Sequence, residues 1–163
     1  MRFLCDEMLR GLGQWLRAAA YDTVIADQEL PDRVLARRSA EEDRVLLTKD
    51  RHLVVVAGRT ARVVLVTGDG VDENARALRQ SLDIDWEYAP FTHCLLDNTP
   101  LEPAPSHLAA EAPAGAGGPL RLCPVCRRLY WPAAMSAVWK GVSPLGGGGL
   151  RCQNMRKRSG RGR

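Results

Sequence analysis

The chain has 163 residues, 45% of them apolar and 26% charged, which suits one globular α/β domain with a small appendage better than two full domains. Collagen-like, wholly disordered and membrane-spanning classes are excluded. No apolar run approaches the ~18 residues of a membrane helix, and the opening Met1-Arg2-Phe3-Leu4-Cys5-Asp6 meets a carboxylate too early for a secretory signal.

The net charge of +4 conceals a segregation of signs: residues 1–93 carry a net −3 and residues 94–163 a net +7. An acidic body with a basic end suggests metal or catalysis in one part and a polyanion at the other. A solvated surface with a disordered basic terminus explains the same charges. Five cysteines, Cys5, Cys94, Cys123, Cys126 and Cys152, are an odd number in a chain expected to be cytosolic. That favours metal binding or burial over a disulfide framework.

In chain order, Phe3-Leu4-Cys5 is a short apolar strand. Leu9, Leu12, Trp15, Leu16 and Ala19 then recur at helical spacing, with Gly11 and Gly13 weakening that helix locally. Asp22 to Asp27 brackets the β-favouring Thr-Val-Ile, and Pro31 suits the first turn of a helix running to about Asp43. Val45 to Thr48 is a buried strand, residues 51–58 a short helix, Arg62 to Thr67 a strand, and Val71 to Leu82 a helix with Ala75, Leu78 and Leu82 facing inward. Strands separated by helices predict a parallel sheet in a three-layer α/β/α sandwich over residues 1–89.

After Pro90 the composition changes. Residues 98–119 hold five prolines and six alanines and read as a long loop. Residues 90–133 form a candidate small module around Cys94 and Cys123-Pro124-Val125-Cys126, and residues 134–163 read as a basic, disordered tail.

The aspartates carry most of the functional information. Asp6, Asp27, Asp50 and Asp69 each follow a predicted strand, and in a parallel sheet the carboxyl ends of the strands line one edge. Carboxylates held close together repel unless a divalent cation neutralises them. Hard oxygen ligands suit Mg²⁺ or Mn²⁺, and such clusters serve phosphodiester hydrolysis. Taken singly, each aspartate is better read as a helix cap; four at successive strand ends reverse that preference. Arg17, Lys49 and Arg51 are candidate phosphate contacts, Arg17 reading equally as a solvated helix residue. His52 reads as a surface or helix-start residue rather than a general base, and Glu41, Glu42 and Asp43 as a solvated turn.

Cys123-Pro124-Val125-Cys126 has the spacing with which two thiolates grip zinc from a tight turn. The partner pair reads Cys94-Leu95-Leu96-Asp97. A site of Cys94, Asp97, Cys123 and Cys126 is one possibility; a knuckle that no longer holds metal is another, and His93 or Cys152 are alternative ligands.

Cys5-Asp6-Glu7-Met8-Leu9, the run Trp15 to Thr23, and Val45 to Leu53 resemble the Mut-seven C-terminal ribonuclease domain. So do Pro90 to Cys94, Asn98 to Pro103, and Cys123 to Cys126 with Tyr130-Trp131-Pro132. The resemblance runs from about Arg2 to Pro132. It implies a PIN-like (Rossmann-like) nuclease fold followed by a zinc ribbon, a metal-dependent activity on RNA, and an acidic-site role for Asp6 and Asp50, then Asp69 and Asp27. This chain departs from the family at Asp97, where the family's first knuckle ends in cysteine. Two other function classes stand beside the ribonuclease: a nucleic-acid-binding module that kept the fold without catalysis, and a regulator masked by a protein partner.

Overall fold

The computed structural model describes residues 1–26, 30–112, 114, 116 and 118–132. Asp27, Cys152 and the expected tail over 134–163 lie outside the described residues.

The continuous apolar runs become short parallel strands: β1 (Phe3–Cys5), β2 (Thr23–Ile25), β3 (Val45–Thr48) and β4 (Val63–Leu65), in the order β2-β1-β3-β4. Register pairs Phe3 with both Thr23 and Val45, and Leu47 with Val64. The helices α1 (Arg10–Ala18), α2 (Asp32–Glu41), α3 (Arg51–Ala57) and α4 (Val71–Leu82) connect or follow the strands. A single 3-10 turn, Glu7–Leu9, joins β1 to α1.

Side-chain alternation along the strands sets the layers. Phe3, Cys5, Val45 and Leu47 pack on one face with Leu12, Trp15 and Leu16 of α1 and Ala75 and Leu78 of α4. Leu4 and Leu46 pack on the other face with Leu35 of α2 and Leu53 of α3. Strands buried on both faces explain why their sequences are continuously apolar instead of alternating. Leu82 is partly buried against the first cluster, inward as expected.

Gly13 acquires a reason that helix propensity does not supply. A Cβ built there would lie 2.7 Å from Ile25 Cγ1 and 3.3 Å from Cys5 Sγ, so glycine is what lets α1 settle onto β1 and β2. Its propensity cost of roughly 1 kcal/mol is offset by that close packing.

The second sheet is antiparallel, β5 (Glu102–Pro103), β6 (Arg121–Leu122) and β7 (Leu129–Tyr130), in sequential order. The expected long loop over 98–119 is therefore corrected: it contains β5 and a 3-10 helix, Ser106–Glu111. Proline on β5 is tolerated because a two-residue edge strand needs few backbone donors.

A single hydrophobic cluster runs through both sheets, joining Phe3, Trp15 and Trp86 to Cys94, Leu95, Leu101, Cys123 and Tyr130. Polar bolts reinforce it. Arg17, almost fully buried, donates from Nε to Thr23 O (2.8 Å) and from one terminal nitrogen to Leu95 O (3.0 Å) and Leu96 O (2.5 Å). Asn98 donates to Asp22 Oδ1 (2.7 Å) and accepts from Thr23 N (3.2 Å).

Candidate functional site: an acidic sheet edge and a thiolate knuckle

The chain leaves β1 through α1 toward β2, and leaves β3 through α3 toward β4 in the opposite direction. Helices α1 and α3 pack on opposite faces, so a crevice opens outside the carboxyl ends of β1 and β3, the usual ligand position in open parallel sheets. Asp6 and Asp50 follow those two strands.

Thr48 links them. Its fully buried hydroxyl donates to Asp6 Oδ2 (2.8 Å) and accepts from the backbone N–H of Asp50 (2.9 Å). Each carboxylate also caps the element that follows: Asp6 Oδ1 accepts from Glu7 N (2.7 Å) and Asp50 Oδ1 from His52 N (2.7 Å). The capping role weighed from sequence is thus real for both, and a carboxylate retains lone pairs beyond one cap bond.

Asp69 lies on the same edge, after β4, with its backbone N–H donating to Glu73 Oε2 (3.0 Å). Among the described residues, Asp6, Asp50 and Asp69 are not a group whose ligand atoms all fall within 4.8 Å of one another. Asp50 instead stands in such a group with Asp32 and His52, where His52 Nδ1 lies 2.7 Å from Asp32 Oδ2. His52 is exposed and sits in the first turn of α3, as read from sequence.

Lys49 donates from Nζ to Gly68 O (2.6 Å) and lines a cavity of about 110 Å³ beside Asp69. Arg51 is exposed at the start of α3. The phosphate role read for Arg17 is corrected. Seven residues along α1 from Arg10 is ~10 Å, which carries Arg17 away from the acidic edge toward the start of β2, where its guanidinium is committed to three carbonyls.

Asn74 on α4 also lines that cavity. It is 3% exposed, and its Oδ1 has no hydrogen-bond partner, a burial that costs about 1–3 kcal/mol. Gly68 makes room for it, since a Cβ there would sit 2.5 Å from Asn74 Oδ1. Sequence reasoning missed Thr48, Asn74 and Asp32. Only Thr48 left a trace, as a hydroxyl closing an otherwise apolar strand.

The knuckle is built differently. Cys94, Asp97, Cys123 and Cys126 present ligand atoms all within 4.8 Å of one another. Cys94 Sγ lies 3.6 Å from Cys126 Sγ, and Cys123 Sγ lies 3.4 Å from Asp97 Oδ2. A tetrahedral zinc with ordinary bond lengths sets sulfurs about 3.8 Å apart and sulfur from oxygen about 3.5 Å, so the donor set fits that ion.

The two turns share one backbone. Asn98 N donates to Cys94 O (3.0 Å) and Arg127 N to Cys123 O (3.0 Å), and both Asn98 (φ 66) and Arg127 (φ 61) are left-handed. Asp97 therefore occupies the place that Cys126 holds in the other turn. Its Oδ1 accepts from Thr99 N (2.9 Å). Burial works to raise its pKa, but the Thr99 donors and the Cys94 and Cys123 thiols outweigh it and bring the carboxyl down to about 2. Burial pushes the Cys126 thiol up to about 12, with the neighbouring thiols adding to the effect, and burial raises Cys94 as well. Tyr130 closes the cluster, its hydroxyl 3.1 Å from Cys94 Sγ and accepting from Leu95 N (3.2 Å).

Residues 1–140 match the Mut7-C RNAse domain. The chain belongs to that family. Comparison with curated proteins and with solved structures gives no match. The family's description points to a nuclease, and in this chain a parallel sheet with aspartates after its strands stands beside a cysteine-bearing appendage. Among the described residues no helix is long and apolar enough to cross a membrane.

Proposed function

We propose that this Mut7-C domain is a cytosolic ribonuclease that hydrolyses RNA phosphodiester bonds with Mg²⁺ or Mn²⁺ at its acidic sheet edge. The observation that carries this reading is the Asp6–Thr48–Asp50 linkage at the crevice between β1 and β3. Asp6 and Asp50 hold the principal cation. Asp69, and Asp27 beyond β2, flank a second position ~4 Å away. Carboxylates and a hydroxyl are hard donors that suit either ion. When bound, the cation supplies an activated water and charge stabilisation at the leaving oxygen.

The chain's own residues do the rest. Thr48 fixes the Asp6 carboxylate against the Asp50 backbone, and the two helix caps lock both rotamers. Lys49 and Arg51 flank Asp50 in sequence and orient the phosphate backbone by charge. The basic residues of the second module and tail add affinity that falls with salt. The module over 90–133 holds a structural zinc at Cys94, Asp97, Cys123 and Cys126, beside the nuclease module of residues 1–89.

The test is cleavage of labelled RNA by purified Asp6→Asn and Asp50→Asn variants, titrated with Mg²⁺ and Mn²⁺. The expected result is a loss of about a thousandfold, ~4 kcal/mol of transition-state stabilisation, with unchanged circular dichroism. RNA binding by the wild-type chain without metal-stimulated cleavage would support the binding-module reading instead.

A further inference from the structure

The aspartates of the sheet edge are not all held in the same way. Asp6 and Asp50 each accept hydrogen bonds that fix the carboxylate itself. Among the described residues the Asp69 carboxylate accepts none, and only its backbone N–H is engaged, by Glu73 of α4. Its place is therefore set by the loop that carries it. Backbone pairing with the sheet ends at Val66, whose N–H donates to Thr48 O (2.8 Å), and α4 begins at Val71. Among the described residues, the hydrogen bond that ties the intervening loop back to the end of β3 runs from Lys49 Nζ to Gly68 O, at 2.6 Å. Gly68 is buried, and an ammonium bonded to a carbonyl out of water is a firm anchor. The bond ends one residue short of Asp69.

We propose that Lys49 is a positioning residue, which holds the Asp69 carboxylate, through the Gly68 carbonyl, where it serves the second cation of the acidic edge. The inference rests on the ribonuclease reading and adds to the charge that Lys49 lends a phosphate, since an ammonium has three donors and Gly68 occupies one. An ammonium beside a cation site is otherwise a liability, because like charges repel. A strap gives it a reason to be there. On this reading the end of β3 organises the whole edge: Thr48 grips the Asp6 carboxylate, Lys49 grips the Asp69 loop, and Asp50 lies next to both in the chain.

The experiment uses the full chain without RNA, so that no phosphate contact enters. Mn²⁺ is titrated and followed by electron paramagnetic resonance, and backbone hydrogen exchange is measured on the metal-free chain. Lys49→Met keeps the unbranched apolar stem and removes the ammonium. It should speed exchange at Asp69 while sparing β1 and β3, and weaken the second Mn²⁺ on the order of 10–100-fold, the usual cost of losing a group that orients a ligand. The sign is diagnostic: loss of a positive charge alone would tighten a nearby cation. Lys49→Arg, which can still reach the carbonyl, should restore both readouts. Asp69→Asn should weaken the same Mn²⁺, and the double variant Lys49→Met with Asp69→Asn should be no worse than Asp69→Asn alone, because the lysine acts through the aspartate. Unchanged exchange, tighter Mn²⁺ in Lys49→Met, or losses that multiply in the double variant would overturn the proposal. The expected Mn²⁺ pattern in a chain that cleaves no RNA would count against the ribonuclease reading and leave the strap standing. Metal-dependent cleavage with Mn²⁺ binding indifferent to Asp69→Asn would do the reverse.

Discussion

The two ligand-rich regions of this Mut7-C domain answer different physical demands. The knuckle is closed: four donors lie within 4.8 Å, three of them thiols, two of those buried, at spacings already close to a tetrahedron. The sheet edge is open. Its carboxylates sit on separate strand ends, each anchored by a cap or a turn, and they do not close into one shell. A structural metal is held by a complete set of protein donors, whereas a catalytic metal needs vacant positions for water and substrate. Under the proposed function, this contrast gives stability to the knuckle and chemistry to the edge.

Removing metal from the knuckle should expose that division most strongly. Chelation, or Cys123→Ser, forfeits the linkage free energy of the bound ion, about 4 kcal/mol at a thousandfold excess over Kd, and should lower Tm by ~10 °C. Asp6→Asn should leave Tm within about 1 °C. A knuckle whose metal content and melting are unaffected by Cys123→Ser would remove the structural role.

Arg17→Met should come next. It strips three carbonyls of their donor, two of those bonds buried, and should cost about 3 kcal/mol by urea denaturation, loosening the knuckle's metal because Leu95 and Leu96 lie within it. A stability change below about 1 kcal/mol would show the two modules to be held by apolar packing alone.

On the edge, Thr48→Val keeps the strand's shape and deletes the hydroxyl between Asp6 and Asp50. Cleavage should fall on the order of 10–100-fold, the usual cost of losing a group that orients a metal ligand, with little change in melting. An undiminished rate would mean that the caps alone hold the carboxylates.

Acid should give the smallest effect. Burial opposes ionisation of Asp22, yet Arg44 (3.0 and 3.1 Å) and Asn98 hold its carboxyl below the usual range, and hydrogen bonds from Arg38 and Arg44 lower Glu42. Groups with depressed folded pKa values stabilise fully above their unfolded values near ~4 and lose that contribution as pH falls through the folded ones. Stability should be flat from pH 7 to about 5 and decline below about 4. Arg44→Met should flatten that decline.

Much of the architecture was legible beforehand because its signals are local. Val45 to Thr48 is a buried strand by composition alone, and α4 shows its inward face through Ala75 and Leu78. The cysteine pair at 123 and 126 announces a tight turn by its spacing. The segment over 98–119 misled because its order comes from elsewhere: β5 exists by pairing with β6, and prolines and alanines carry no sign of that partner. Arg17 misled for a related reason. Helical spacing places it on α1 but not against Leu95 and Leu96, some 78 residues away.

By itself, then, the amino-acid order determined which segments are strands, which are helices, and that acidic residues terminate the strands, since these follow from periodicity, chain chirality and the alignment of parallel strands. Only the tertiary structure decided which of those aspartates share a hydroxyl, that Asp97 comes within reach of the three thiols, and that Arg17 fastens one module to the other. Those outcomes depend on distances between residues remote in the chain, which packing sets and local propensity does not encode.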